Sequence, residues 1–253
     1  MAVDRPLAVK EAAGEVYRIA RAPDPWAWAD WAYAGPDGTF DNRWDDPEGI
    51  YRVLYASSQR AGAFVETLAR YRVDLAMIAE MERIVEDDPA DAPIPAGTVP
   101  REWSKGRLLG RAVLTGEFAD VTRAKSLKYL REHLAAPLLD LGLKDLDAAS
   151  VRTMDRSVTQ MMSRLIYECS VDEKRAYDGV AYRSRLGDDY ENWGVFETDV
   201  PGLASPVSVL ARETIRENDP ALLEALAYLG LRLEQDPALV ERVATAVGDS
   251  AGG

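Results

Sequence analysis

Residues 38–72, GTFDNRWDDPEGIYRVLYASSQRAGAFVETLARYR, decide how this chain is read. They divide into three pieces. A polar loop punctuated by glycine and proline carries Arg43. A short β-rich run over 50–56 alternates in part and carries Tyr55 near its end. After Ser57 and Ser58, either a good N-cap, a helical pattern begins. Its apolar residues Ala61, Phe64, Val65, Leu68 and Ala69 fall at the i, i+3, i+4, i+7, i+8 spacing of a buried stripe. Glu66 lies about 100° round from Val65 and one turn beyond Gly62. Its carboxylate therefore flanks the stripe, beside a residue with no side chain to obstruct a ligand.

Composition narrows the classes. The chain of 253 residues is 47% hydrophobic and 29% charged, an ordinary globular balance. No apolar run approaches the ~20 residues that cross a bilayer, and the first residues lack the apolar core of a signal peptide. Cys169 is the only cysteine, so an internal disulfide is ruled out and a cytoplasmic setting is expected. A net charge of −13 argues against direct nucleic-acid binding. Residues 1–72, however, hold nine Lys/Arg against eleven Asp/Glu, so nearly all the surplus lies beyond them. An anionic ligand is better received in this first third.

Counting also removes chemistries. One His and one Cys cannot build a Cys/His zinc site, and a Ser-His-Asp triad would have to use His133. That residue flanks a helical stripe of Leu127, Leu130, Leu134, Leu138 and Leu141, where a solvated surface histidine is the plain reading. Residues 37–48 imitate a calcium loop, but Asn42 stands where glycine is required and Pro47 precedes the acidic residue. No metal is expected. There is no GxGxxG, no GK[ST], no HExxH and no CxxC. Carboxylates, hydroxyls and guanidinium groups are left to do any chemistry.

Along the chain, residues 1–14 read as a lead-in and 15–20 as a strand. The segment RAPDPWAWADWAYAGPDG is a loop whose indoles cover an edge of the core. Residues 74–85 continue as helix, and 86–107, rich in proline, as a long exposed loop or lid. Strands follow at 108–114 and 117–121, then the His133 helix to about Gly142. A helix over 155–170 opens on Asp155 and Ser157, either of which suits a cap. GVAYRS, 179–184, is a strand with Val180, Tyr182 and Ser184 on one face; LGDDYEN turns it into a second strand over 193–198. Beyond residue 200, two segments open alike as Asp-Pro-Ala-Leu, at 219 and 236, each an Asp cap with proline first. They read as a helical appendage. The organisation expected is a lead-in over 1–14, a catalytic domain over 15–200 and an extension over 201–253.

The central unit resembles the RES-domain family, named for its Arg, Glu and Ser. The resemblance rests on Arg43-Trp44, a Pro/Gly loop, Leu54-Tyr55-Ala56 and a glutamate eleven residues past the tyrosine, Glu66. Tyr17-Arg18 meets an upstream pair, and Tyr182-Arg183-Ser184 with Glu191-Asn192 a downstream strand. It spans residues 16–196. Asp45-Asp46 stand where Asn-Pro is commoner, Ile19 where some members have a second Tyr, and the middle is longer.

The resemblance implies an α+β fold around a small mixed sheet, similar to ADP-ribosyltransferases, and NAD+-destroying toxin activity with a helix-turn-helix antitoxin partner. It implies catalytic roles for Glu66, Arg18 and Ser184, and substrate contacts from Arg43, Tyr55, Tyr17 and Asn192; Ser157 is the rival serine. Cleavage of the nicotinamide–ribose bond suits such residues, with NAD+ a consumed substrate and no resident cofactor. The leaving group is already cationic, so no acid is needed, and a carboxylate stabilises the oxocarbenium-like transition state. Transfer of ADP-ribose to a macromolecule and a non-catalytic nucleotide- or partner-binding module are the alternatives.

Overall fold

A long antiparallel ladder joins β1 (Val9–Arg21) to β4 (Arg107–Asp120), running from Val9↔Ala119 to Arg21↔Arg107. Ala12, Val16, Ala112 and Leu114 bury one face of it. The computed structural model describes residues 5–81, 97–198 and 205–234. Around this ladder stand β2 (Val53–Ser57), β7 (Gly179–Ser184), β8 (Gly187–Phe196) and β9 (Val207–Thr214). The order is β1-β2-β8-β7-β4-β9, and because β1 also pairs with β4, five strands close on themselves. The β4–β7 pairing is parallel and the others in this sheet are antiparallel, the mixed sheet expected. Two small ribbons add β3 (Thr98–Val99) to β10 (Arg232–Leu233) and β5 (Ser170–Val171) to β6 (Lys174–Arg175).

The helices are α1 (Arg60–Leu68), α2 (Leu75–Met81), α3 (Ala124–His133), α4 (Ala135–Asp140), α5 (Arg156–Glu168) and α6 (Pro220–Leu229). Val158, Met162 and Ile166 of α5 share a core with Leu130 of α3 and with Val180 and Phe196 of the sheet. Phe64, Val65 and Leu68 of α1 share another with Leu222, Leu226 and Leu229 of α6. β7 and β8 approach closely at Gly179, where a Cβ would stand 2.0 Å from the Gly194 carbonyl oxygen.

Several expectations change. Residues 9–14 are strand, not lead-in, and Leu7 before them is buried. Their partner is a hundred residues away, so no local pattern announced it. The two strands expected over 108–121 are one, bent at Gly116 with φ +118°. The LGDDYEN segment is mostly β8, which leaves Arg185 and Leu186 to turn the chain. The His133 helix breaks at Leu134, and His133 itself lies exposed against Tyr129 as read. Neither Ser57 nor Ser58 caps α1: its N-cap is Gln59, without a side-chain bond, because both serines are spent on β8.

The largest change is at the C-terminal side. β9 belongs to the main sheet, and α6 packs on α1 rather than standing apart. β9 exposes residues on both faces, so its period of two is faint in sequence. The start signal of α6 is as read: Asp219 accepts from the Ala221 N–H, Pro220 is the first residue, and Gly230 stops the helix at φ +66°. Residues 97–107 hold β3 and a short 3-10 turn with a buried Trp103, not an exposed loop. The rest of that expected loop, the end of the helix expected over 74–85, the boundary at residue 200, the second Asp-Pro helix and the tail lie outside the described residues. Leu222 is 1% exposed in the α1–α6 core. Leu222→Ala is expected to cost about 2–5 kcal/mol of stability in chemical denaturation. A change below about 0.5 kcal/mol would make α6 an appendage after all.

Candidate functional site

One row of directly paired residues crosses the sheet: Tyr17 on β1 faces Ser57 on β2, Ser57 faces Asn192 on β8, and Asn192 faces Tyr182 on β7. Paired residues project to the same side of a sheet. All four line one cleft of about 610 Å³, together with Ala63, Glu66 and Thr67 of α1 and with Thr153, Met154 and Arg156.

Arg18 holds the open side of this row. β1 and β2 pair only at Tyr17↔Ser57. Where the next rung would form, Arg18 Nη1 donates instead to the Tyr55 carbonyl at 2.8 Å, and its Nε donates to the Pro25 carbonyl at 2.8 Å. Burial pushes its guanidinium down to about 10, so it stays cationic at neutral pH. Trp26, in the same loop, is buried against Gly110, where a Cβ would meet its indole nitrogen at 2.4 Å. That loop lends the cleft no tryptophan.

Arg43 is placed by a second set of bonds that converge on Tyr55. The Tyr55 hydroxyl accepts from the Trp44 N–H at 2.9 Å and donates to Asp45 Oδ1 at 2.8 Å. Asp45 Oδ2 in turn accepts from the backbone and side chain of Asn42. Ser163 of α5 donates to the Trp44 carbonyl at 2.6 Å. Burial, then Asp45, raises the Tyr55 phenol well above its ordinary value, so it remains a donor. Burial also raises Asp45, against the bonds it accepts. Arg43, its charge made more costly by burial, donates to the Val151 carbonyl, while its Nε has no partner.

Glu66 projects from α1, and its Oε1 accepts from Asn192 Nδ2 at 2.8 Å. Gly62 one turn earlier makes room for protein rather than ligand: a Cβ there would stand 2.2 Å from Ser57 Oγ and 3.2 Å from the Tyr190 ring. Among the described residues Glu66 is the one carboxylate lining the cleft, against five arginines, 18, 43, 70, 156 and 185. Arg156 is paired with Asp41 at 2.6 Å. Among the described residues no carboxylate pairs with Arg18 or Arg43. The first third of the chain thus supplies three of these cations, and α5 and the β7–β8 turn supply the others.

The cleft gathers Tyr17, Arg18, Arg43, Tyr55, Glu66 and Asn192, but Ser184 is not in its wall. Ser184 is buried at the end of β7, and its Oγ accepts from the Leu186 N–H at 3.0 Å, which fixes the β7–β8 turn. Ser157 is exposed on the first turn of α5, its N–H bonded to Asp155. The serine in the wall is Ser57, which sequence reading treated as a cap. Tyr182, Arg70, Arg156 and Arg185 were also missed. Arg70 had a signal, since it stands four residues past Glu66 on the same helical face; the others are brought in by tertiary contacts.

A closed α+β sheet bearing an arginine-rich cleft with one glutamate is the architecture on which the comparisons bear. The RES domain model matches residues 15–216, and the chain belongs to that family. No curated protein matches it. Its structure is similar to a chain of the M. tuberculosis MbcT–MbcA toxin–antitoxin complex, at 13% identity and a TM-score of 0.51, over 88% of this chain and 91% of that one. That likeness is one of fold.

Tyr55→Phe leaves the Trp44 N–H and an Asp45 oxygen without their buried partner, which should cost about 1–3 kcal/mol. It should also free the loop that carries Arg43. Denaturant unfolding reads the first effect and protection of the Trp44 amide from hydrogen exchange the second. Unchanged values of both would mean that the hydroxyl does not hold the loop.

Proposed function

We propose that this protein cleaves the nicotinamide–ribose bond of NAD+ and acts as a toxin by depleting it. The observation that carries the reading is the single carboxylate among the described residues of the cleft, Glu66, set with five arginines. A dinucleotide is an anion with a cationic pyridinium at one end, and this distribution complements both. Arg18 and Arg43 take the pyrophosphate with forked donors. Tyr17 and Tyr55 offer ring faces to the nicotinamide end. Glu66, oriented by Asn192, stabilises the positive charge that builds on the ribose as the neutral base departs. No acid is required for that departure, which suits a cleft whose other titratable groups are arginines and tyrosines. NAD+ is the substrate, and the reaction takes place in the cytoplasm without a resident cofactor.

The likeness to a toxin–antitoxin complex supports a protein partner that restrains the enzyme; the helix-turn-helix character of that partner follows from the family resemblance. Among the described residues no helix is long and apolar enough to cross a membrane.

Purified protein incubated with NAD+, with and without inorganic phosphate, is expected to release nicotinamide together with ADP-ribose or its phosphorylated form. Label appearing on a protein or nucleic acid would favour transfer, and intact NAD+ would leave a binding module. Glu66→Gln should lower the rate by about 10²–10³ while the fold persists; a wild-type rate would remove Glu66 from the chemistry. Arg43→Lys keeps the charge but loses the planar fork and should raise KM for NAD+ several-fold. Arg52 is the control: it pairs with Glu197 and donates to the Ala29 carbonyl, away from the cleft, so Arg52→Ala should leave KM alone.

A further inference from the structure

Besides Arg43 Nε, two polar atoms of cleft-lining residues lack partners among the described residues, and they belong to residues paired directly across β7 and β8. The first is the Tyr182 hydroxyl. Tyr182 is 7% exposed, packs against Trp44 with ring centroids 5.3 Å apart, and its hydroxyl makes no hydrogen bond among the described residues. Burial, then the nearby Glu66, raises its phenol, so it keeps its proton and acts as a donor. The second is Asn192 Oδ1. Asn192 is 1% exposed, and this oxygen has no partner. Which end of the amide is free is fixed by Glu66: a carboxylate accepts, so the nitrogen must face it and the oxygen is left. Buried polar groups are nearly always paired, so the Asn192 oxygen calls for an explanation, and the directly paired residue across the strands carries an unbonded donor.

The two do not satisfy each other, although their Cβ atoms are about 4.5–5.5 Å apart as cross-strand neighbours. What fits between them is a group that presents an acceptor and a donor from one planar centre. We infer that Tyr182 and Asn192 form the receptor for a primary carboxamide on the substrate, the Tyr182 hydroxyl donating to its oxygen and Asn192 Oδ1 accepting from its nitrogen. This rests on the NAD+ reading and refines it, because nicotinamide carries that group. The carboxamide lies two bonds round the ring from the nitrogen that holds the ribose. Anchoring it beside Asn192 brings the bond to be broken toward Glu66, which the same asparagine orients. A carboxylate in place of the carboxamide would meet an acceptor and Glu66 and be repelled.

The test couples a change in the protein to a change in the substrate. NAD+ is compared with the analogue in which hydrogen replaces the carboxamide, on wild type and on Tyr182→Phe, which keeps the ring packed on Trp44. One neutral hydrogen bond is worth about tenfold. Tyr182→Phe is therefore expected to lower kcat/KM for NAD+ by about tenfold and for the analogue by less than twofold. The methyl-ketone analogue keeps the acceptor and loses the donor; it should be a poorer substrate than NAD+ for wild type and lose a further tenfold on Tyr182→Phe. Equal losses on NAD+ and the hydrogen analogue would overturn the inference, placing the hydroxyl on the ribose or on a bound water, while NAD+ cleavage stood. Failure of wild type to bind or cleave any of the three would overturn the NAD+ reading and this inference with it.

Discussion

The site depends on Tyr55, which is bonded at both ends. Its carbonyl accepts from Arg18 and its hydroxyl bridges the Trp44 N–H and Asp45. Two arginines from segments twenty-five residues apart are thereby referred to one side chain on a central strand. The constraint is stiff because the hydroxyl is buried and its bonds run to a main-chain group and to an acid that is itself fixed by Asn42. α5 closes the same loop from the other side through Ser163 and Gln160. A helix that reads in sequence as ordinary core is thus also the backing of the cleft.

A protein of net charge −13 holds two of its cleft arginines by a particular kind of pairing. Arg18 donates to two backbone carbonyls and Arg43 to one. Such acceptors satisfy the geometry of a guanidinium and repay part of its desolvation, but they carry no net charge to cancel it. The cation stays available to a ligand. Elsewhere the chain does the opposite: Arg60 is bound by Asp219 and Glu213, and Arg52 by Glu197, and those charges are spent on holding α1 to α6 and the strand ends together. Within the cleft, Arg18 and Arg43 rest on carbonyls, whereas Arg156 is paired with the Asp41 carboxylate.

The row Tyr17–Ser57–Asn192–Tyr182 gives the cleft its floor. Its spacing is set by backbone hydrogen bonding, so it tolerates little drift. Gly62 and Gly179 protect that spacing, since a methyl group at either would strike Ser57 or the Gly194 carbonyl.

The sequence by itself determined the local unit and its order. The apolar period of 61–69 located α1 and put Glu66 beside its buried stripe, and the family resemblance pointed to Arg18, Arg43, Tyr55, Tyr17 and Asn192, all of which line the cleft. Caps, glycine stops and hydrophobic periods depend on neighbours within a few residues, so they can be read along the chain. Only the tertiary structure decided that residues 9–14 are strand, that β9 and α6 belong to the core, and that Ser57 rather than Ser184 stands in the wall. It also decided that Tyr182, Arg156 and Arg185 line the same cleft as Glu66. Those outcomes turn on pairings across a closed sheet between segments a hundred residues apart or more, and a cross-strand register leaves no trace in the order of residues along either strand.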